Sequence, residues 1–126
     1  MAGEHILIVD DTEMNRKLLQ VLLTAKGYRV SLAVTAEEAL AQLPTTKPAL
    51  MLLDLRLPGM SGLELARKLR TDPAYADLVI IAVTANAMKG DEDDALAAGC
   101  NAYITKPIDT RAFPTLIATH LSARAR

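Results

Sequence analysis

The 126-residue sequence is poor in aromatic side chains, with no tryptophan, one phenylalanine and three tyrosines. Single-stranded nucleic acids are held largely by stacking bases on such rings, so a stacking platform is excluded. Basic excess is missing too: 14 Lys and Arg stand against 15 Asp and Glu, a formal net charge of −1, which argues against any nucleic-acid partner. The lone cysteine, Cys100, leaves no disulfide framework and no thiolate metal cluster, and it reads as a buried, inert thiol. Apolar runs are short. Ala49 to Leu53, for one, is broken by Asp54, and nothing approaches the ~20 residues of a membrane-spanning helix. Met1 to His5 carries Glu4 and leads straight into Ile6-Leu7-Ile8-Val9, with no basic region and no cleavable apolar stretch. A cytoplasmic protein without membrane contact is the expectation.

What is present is enough hydrophobic residue, 51%, for one domain with an ordinary core. Short β-like runs alternate with helical patterns. His5 to Val9 reads as a buried strand, and Met14, Leu18, Val21, Leu22 and Ala25 then recur as the stripe of an amphipathic helix stopped by Gly27. Tyr28 to Ala33 alternates as a strand. Thr35 can cap a helix through Leu43, with Glu38 completing a capping box, and Pro44 and Pro48 bracket the next loop. Ala49 to Leu53 is the third strand. Ser61 can cap a helix carrying Leu63, Leu65, Ala66 and Leu69, with a turn at Asp72-Pro73. Leu78 to Val83 is a fourth strand, Met88 to Ala98 a helix closed by Gly99, and Asn101 to Ile104 a fifth strand. The remainder reads as a last helix, which starts near Phe113 so that Pro114 falls in its first turn.

Strands apolar on both faces and separated by helices imply an α/β fold, a doubly wound, mostly parallel sheet. In such sheets a ligand binds outside the carboxyl ends of the strands. Asp10 and Asp11 follow the first strand, Asp54 the third, Thr84 the fourth and Lys106 the fifth. Were those strands neighbours, three carboxylates, a hydroxyl and an ammonium would share one edge. Crowded carboxylates repel unless a cation intervenes, and Mg²⁺ favours such oxygen ligands together with a phosphate. Three carboxylates less one ammonium leave two negative charges, which one divalent ion balances. Phosphoryl transfer needs its non-bridging oxygens neutralised while nucleophile and leaving group stand in line. Asp54, the lone carboxylate of the central strand, is the best nucleophile.

Four stretches, Leu7-Ile8-Val9-Asp10-Asp11, Leu52-Leu53-Asp54-Leu55-Arg56-Leu57-Pro58-Gly59-Met60-Ser61-Gly62, Ala82-Val83-Thr84-Ala85 and Tyr103-Ile104-Thr105-Lys106-Pro107, resemble in order and spacing the receiver domains of bacterial two-component response regulators. The resemblance runs over nearly the whole chain. It implies a flavodoxin-like fold, a five-stranded parallel sheet of order 2-1-3-4-5 with five helices. It implies phosphoryl transfer to Asp54 from a phosphohistidine on a sensor histidine kinase or a histidine phosphotransfer protein. Asp11, Asp54 and the backbone carbonyl of Arg56 would bind Mg²⁺ directly, or Mn²⁺ in its place, with Asp10 acting partly through water. Thr84, Ala85 and Lys106 would hold the phosphoryl group, and a cis peptide before Pro107 would aim Lys106 inward. The resemblance also implies a switch: phosphorylation draws the Thr84 hydroxyl inward, Tyr103 turns in from an exposed position, and a downstream effector meets a changed face. Met14-Asn15-Arg16 borders the pocket where the phosphodonor would dock.

Departures and rival readings are equally specific. Arg56 and Asn86, two residues after Asp54 and Thr84, are positions that would tune acyl-phosphate hydrolysis. Arg56 also stands where an aspartyl-nucleophile phosphatase would want its second acid. A flavin or nucleotide site would need neutral backbone donors after the first strand, where Asp10-Asp11-Thr12-Glu13 stands instead. The alternative is a phosphorylation-independent interaction module on the receiver fold. Asp91 to Asp94 needs no ligand, since negative charge is favoured near a helix N-terminus. Neither His5 nor His120 is placed to carry a phosphoryl group. With about twenty residues after Lys106, a single receiver domain without an output domain is expected.

Overall fold

The computed structural model describes residues 3–84, 90–106 and 108–124. Its strands are β1 (His5–Val9), β2 (Arg29–Ala33), β3 (Leu50–Asp54), β4 (Val79–Thr84) and β5 (Ala102–Thr105). The helices are α1 (Glu13–Thr24), α2 (Ala36–Thr46), α3 (Gly62–Arg70), α4 (Asp91–Ala97) and α5 (Phe113–Arg124), with a short 3₁₀ turn at Pro73–Tyr75. All strand pairs are parallel and the order is β2-β1-β3-β4-β5. The expected fold is therefore the observed one. No helix among the described residues is long and apolar enough to cross a membrane.

Alternation along the strands builds two cores. Leu7, Val9, Met51, Leu53, Ile80 and Ala82 face α2, α3 and α4, while Ile6, Ile8, Leu50, Leu52, Ile81 and Val83 face α1 and α5. Every residue of β3 and β4 is buried, as covered central strands require. This leaves the carboxyl-end edge as the place where polar side chains can gather.

Several local expectations change. The buried face of α1 is Leu19 and Leu23, whereas Met14, Leu18 and Val21 are exposed. The stripe was phased one position early, because a helix this rich in leucine offers two overlapping apolar faces and only the sheet chooses between them. Gly27 does end the helix, with φ of 89° and its amide on the Thr24 carbonyl. α2 runs past Pro44 to Thr46 instead of stopping at Leu43. Pro44 is exposed in the last turn, and that turn is closed around it by Lys47 N donating to Leu43 O and Thr46 Oγ1 to Gln42 O. Thr35 caps α2 by accepting from Glu38 N, but the Glu38 carboxylate accepts from Val34 N and not from Thr35. Ser61 and Glu64 form a complete capping box on α3. The described part of α4 begins at Asp91, so the expected start at Met88 and Lys89 lies outside the described residues. Asp109 caps the turn that leads into α5, its Oδ1 accepting from Arg111 N and Ala112 N, and Pro114 falls in the first turn of the helix proper.

Candidate functional site

The parallel register brings Asp10 and Asp11 of the β1 end, Asp54 of the β3 end, Thr84 of the β4 end and Lys106 of the β5 end to one edge. Asp10, Asp54 and Thr84 are the buried polar residues among those described, at 2%, 6% and 1% exposure. Burying two carboxylates side by side is costly unless cations compensate. Lys106 supplies part of that, its Nζ lying 3.0 Å from Asp10 Oδ2 and 3.4 Å from Asp54 Oδ2. The backbone seats this ammonium, since Lys106 N donates to Thr84 O at 2.8 Å.

The remaining oxygens are unevenly engaged. Asp10 Oδ1 accepts from Thr12 N at 2.8 Å, so both of its oxygens have partners. Asp54 Oδ1 accepts from Arg56 N at 2.9 Å. Asp11 is exposed and carries no hydrogen bond among the described residues. One oxygen from each of Asp10, Asp11 and Asp54 lies within 4.8 Å of the others. Burial pushes the Asp54 carboxyl above its ordinary range; the Arg56 amide and Lys106 pull it back, and Asp10 adds to the rise. An all-oxygen donor set with uncompensated negative charge fits a hard divalent cation such as Mg²⁺.

Beside Thr84 opens a cleft of about 250 Å³ lined by Leu55, Arg56, Leu63, Thr84, Asp91 and Asp94. Arg56 stands exposed at its mouth. Tyr103 is half-buried and packs against the core that faces α2, α3 and α4, with its hydroxyl covered. The expectation of an exposed ring is therefore corrected. Its register neighbour on β4 is Ala82, whose small side chain leaves room beside the ring. Ala85, Asn86 and Pro107, and with Pro107 the expected cis peptide, lie outside the described residues. His5 sits at the opposite edge of the sheet, hydrogen-bonded to Ser31 at 2.6 Å.

Two residues make contacts at this site that sequence reasoning did not foresee. Arg16 Nη1 donates to the Asp10 carbonyl at 2.8 Å and so pins the β1–α1 turn; no local pattern announces such a long-arm contact. Gly62 packs against the backbone of Asp54 and Leu55. Its signal was present in Ser61-Gly62, a glycine immediately after a helix cap.

The response regulator receiver domain family matches residues 6–118. The chain belongs to that family. This receiver domain is 41% identical over 118 residues to the polar-differentiation response regulator DivK of Brucella anthropi, covering 94% of this chain and 96% of that one. Among solved structures it superposes on a CheY-like response regulator receiver domain protein of Methanospirillum hungatei with a TM-score of 0.88 at 33% identity, over 98% of each chain. The receiver domain of the sensor histidine kinase PA1611 of Pseudomonas aeruginosa, solved with a magnesium ion coordinated in its active-site cleft, gives 0.87 at 31% identity, over 96% of this chain and 99% of that one. The receiver domain thus takes its place in two-component signalling, a family for which magnesium and phosphorylation are typical.

Proposed function

We propose that this receiver domain accepts a phosphoryl group on Asp54 from the phosphohistidine of a sensor histidine kinase or a histidine phosphotransfer protein. The observation that carries this reading is the buried convergence of Asp10, Asp54, Thr84 and Lys106 at the carboxyl edge. An Asp54 carboxylate oxygen attacks phosphorus; the new O–P bond forms as the N–P bond breaks, and the histidine nitrogen leaves with the electron pair. Lys106 and the Thr84 hydroxyl hold the non-bridging oxygens of the transferred group, with Ala85 completing the cradle. Asp10, Asp11, Asp54 and the Arg56 carbonyl hold Mg²⁺, which when bound neutralises charge on the phosphoryl group. Mn²⁺ serves the same ligands.

The phosphodonor docks beside Arg16 on α1. Supporting this, Met14 and Val21 leave 79% and 56% of their surface exposed on the same helix, an apolar face suited to a partner helix. Phosphorylation then draws Thr84 toward Asp54 and selects the inward setting of Tyr103, so that α4, β5 and α5 present a changed face to an effector.

Incubation with a small acyl phosphate and Mg²⁺ gives a phosphoryl-sized mass gain that is absent in Asp54→Asn. No gain from any small donor or phosphohistidine protein overturns the reading.

A further inference from the structure

We infer that Gly62 is a positioning residue for the metal side of the site, leaving α3 room to hold the backbone of Asp54, Leu55 and Arg56 where the Arg56 carbonyl serves the cation. This rests on the proposed function for its metal. The need is for space and not for an unusual backbone angle: Gly59 in the same loop has φ of 72°, while Gly62 is outside the positive-φ set. A Cβ on Gly62 would overlap the Asp54 carbonyl oxygen and come within 2.8 Å of Leu55 Cα and 3.1 Å of the Asp54 carbonyl carbon. Carbon atoms pack at about 3.5–4.0 Å, so something must move. All three atoms are backbone, and no rotamer change clears them.

α3 is the partner less able to yield. Its first turn is locked by the Ser61–Glu64 capping box, and Leu65, Ala66 and Leu69 are buried along its inner face. Asp54 itself is fixed in β3 opposite Val83 of β4, whereas Leu55 and Arg56 lie past the strand end, tied by Gly62 N to Leu55 O at 3.2 Å and Arg56 N to Asp54 Oδ1 at 2.9 Å. A methyl group at position 62 therefore displaces that segment, and the Arg56 carbonyl moves with it. Metal sites tolerate little such movement, since Mg²⁺ demands near-ideal octahedral geometry.

The test compares Gly62→Ala with a matched substitution, Gly99→Ala, at the opposite edge of the sheet before β5. There φ is +106° and a new Cβ would overlap Arg70, so this change also strains the fold while leaving the pocket alone. Mn²⁺ affinity is measured by calorimetry on metal-free protein, with thermal melting recorded separately. The expected result is at least a tenfold loss of Mn²⁺ affinity in Gly62→Ala and wild-type affinity in Gly99→Ala, although both melt lower. Wild-type affinity in Gly62→Ala overturns the inference alone, and equal losses in the two variants do the same by tracing the effect to general strain. A wild-type protein that binds no Mn²⁺ overturns the metal reading as well. In case Gly62→Ala does not fold, hydrogen exchange at the Gly62 amide of the wild type decides. Saturating Mg²⁺ slows it at least tenfold if this amide ties the metal-bearing segment to α3, and an unchanged rate overturns the inference.

Discussion

Lys106 at the end of β5 reaches Asp10 at the end of β1, Nζ to Oδ2 at 3.0 Å, over the two intervening strands β3 and β4. The same ammonium lies 3.4 Å from Asp54 Oδ2, so one lysine gives cationic compensation to both buried carboxylates of the acidic edge. In Lys106→Ala two buried carboxylates lose their shared cation, and breaking such a pair costs about 3–5 kcal/mol in metal-free protein. Chemical denaturation with and without Mg²⁺ measures it. The deficit narrows when Mg²⁺ is added; an equal deficit in both conditions would mean that the lysine acts by packing and not by charge.

Asp54→Asn tests the sign of the electrostatics directly. Burial, with Asp10 beside it, raises the folded-state pKa of Asp54 despite the Arg56 amide and Lys106. A group raised on folding contributes stability that is full below its unfolded pKa and is lost as pH climbs through the raised folded value. At a pH above its unfolded pKa the wild type gives up that contribution, whereas a neutral asparagine has nothing to lose. Metal-free Asp54→Asn therefore melts higher than wild type at pH 7, and the gap closes as pH falls below the ordinary carboxylate range. Mg²⁺ closes it from the other side, since a ligand at 100 times its Kd stabilises by about 2.7 kcal/mol. A lower melting temperature for metal-free Asp54→Asn at pH 7 contradicts this.

Much of the fold was legible because strands buried on both faces write themselves as unbroken apolar runs, as Leu50 to Leu53 and Val79 to Val83 do. The site was legible for a related reason: a charge placed immediately after such a run has nowhere to go but the sheet edge. What failed was information that the sheet supplies. Thr35 and Glu38 had capping-box spacing, yet Glu38 found the Val34 amide. Tyr103 lies on an edge strand, and the core it packs against is assembled from residues distant in sequence.

The phasing of α1 carries the clearest contrast. Leu18 and Leu19 are chemically identical neighbours, one 39% and the other 2% exposed. Truncating a buried leucine costs about 2–5 kcal/mol through lost burial and the cavity left behind. Leu19→Ala lowers stability by that amount in urea unfolding, and Leu18→Ala by less than about 1 kcal/mol. Reversed values would restore the stripe through Met14, Leu18 and Val21.

Cys100 is buried, and burial pushes its thiol up to about 11 against the opposing pull of Arg70. Thiolate is the reactive form, so native protein at pH 7.5 resists an aromatic disulfide reagent. Denaturant releases one equivalent at once. Rapid labelling of the folded chain would place Cys100 in an accessible conformation.

Tyr103 presents a covered hydroxyl with no hydrogen-bond partner among the described residues. Desolvation of that hydroxyl raises its pKa, with Asp91 and Glu92 adding to the rise and Arg56 opposing it. Leaving such a group unsatisfied costs about 1–3 kcal/mol, a penalty that removal of the oxygen relieves. Tyr103→Phe keeps the ring against the core and loses only the oxygen, so it melts at or above the wild-type temperature. Tyr103→Ala removes the packing as well and melts lower. The pair separates what the ring contributes from what the hydroxyl costs: a drop in Tyr103→Phe as large as that in Tyr103→Ala would show that the hydroxyl, and not the ring, secures the inward position.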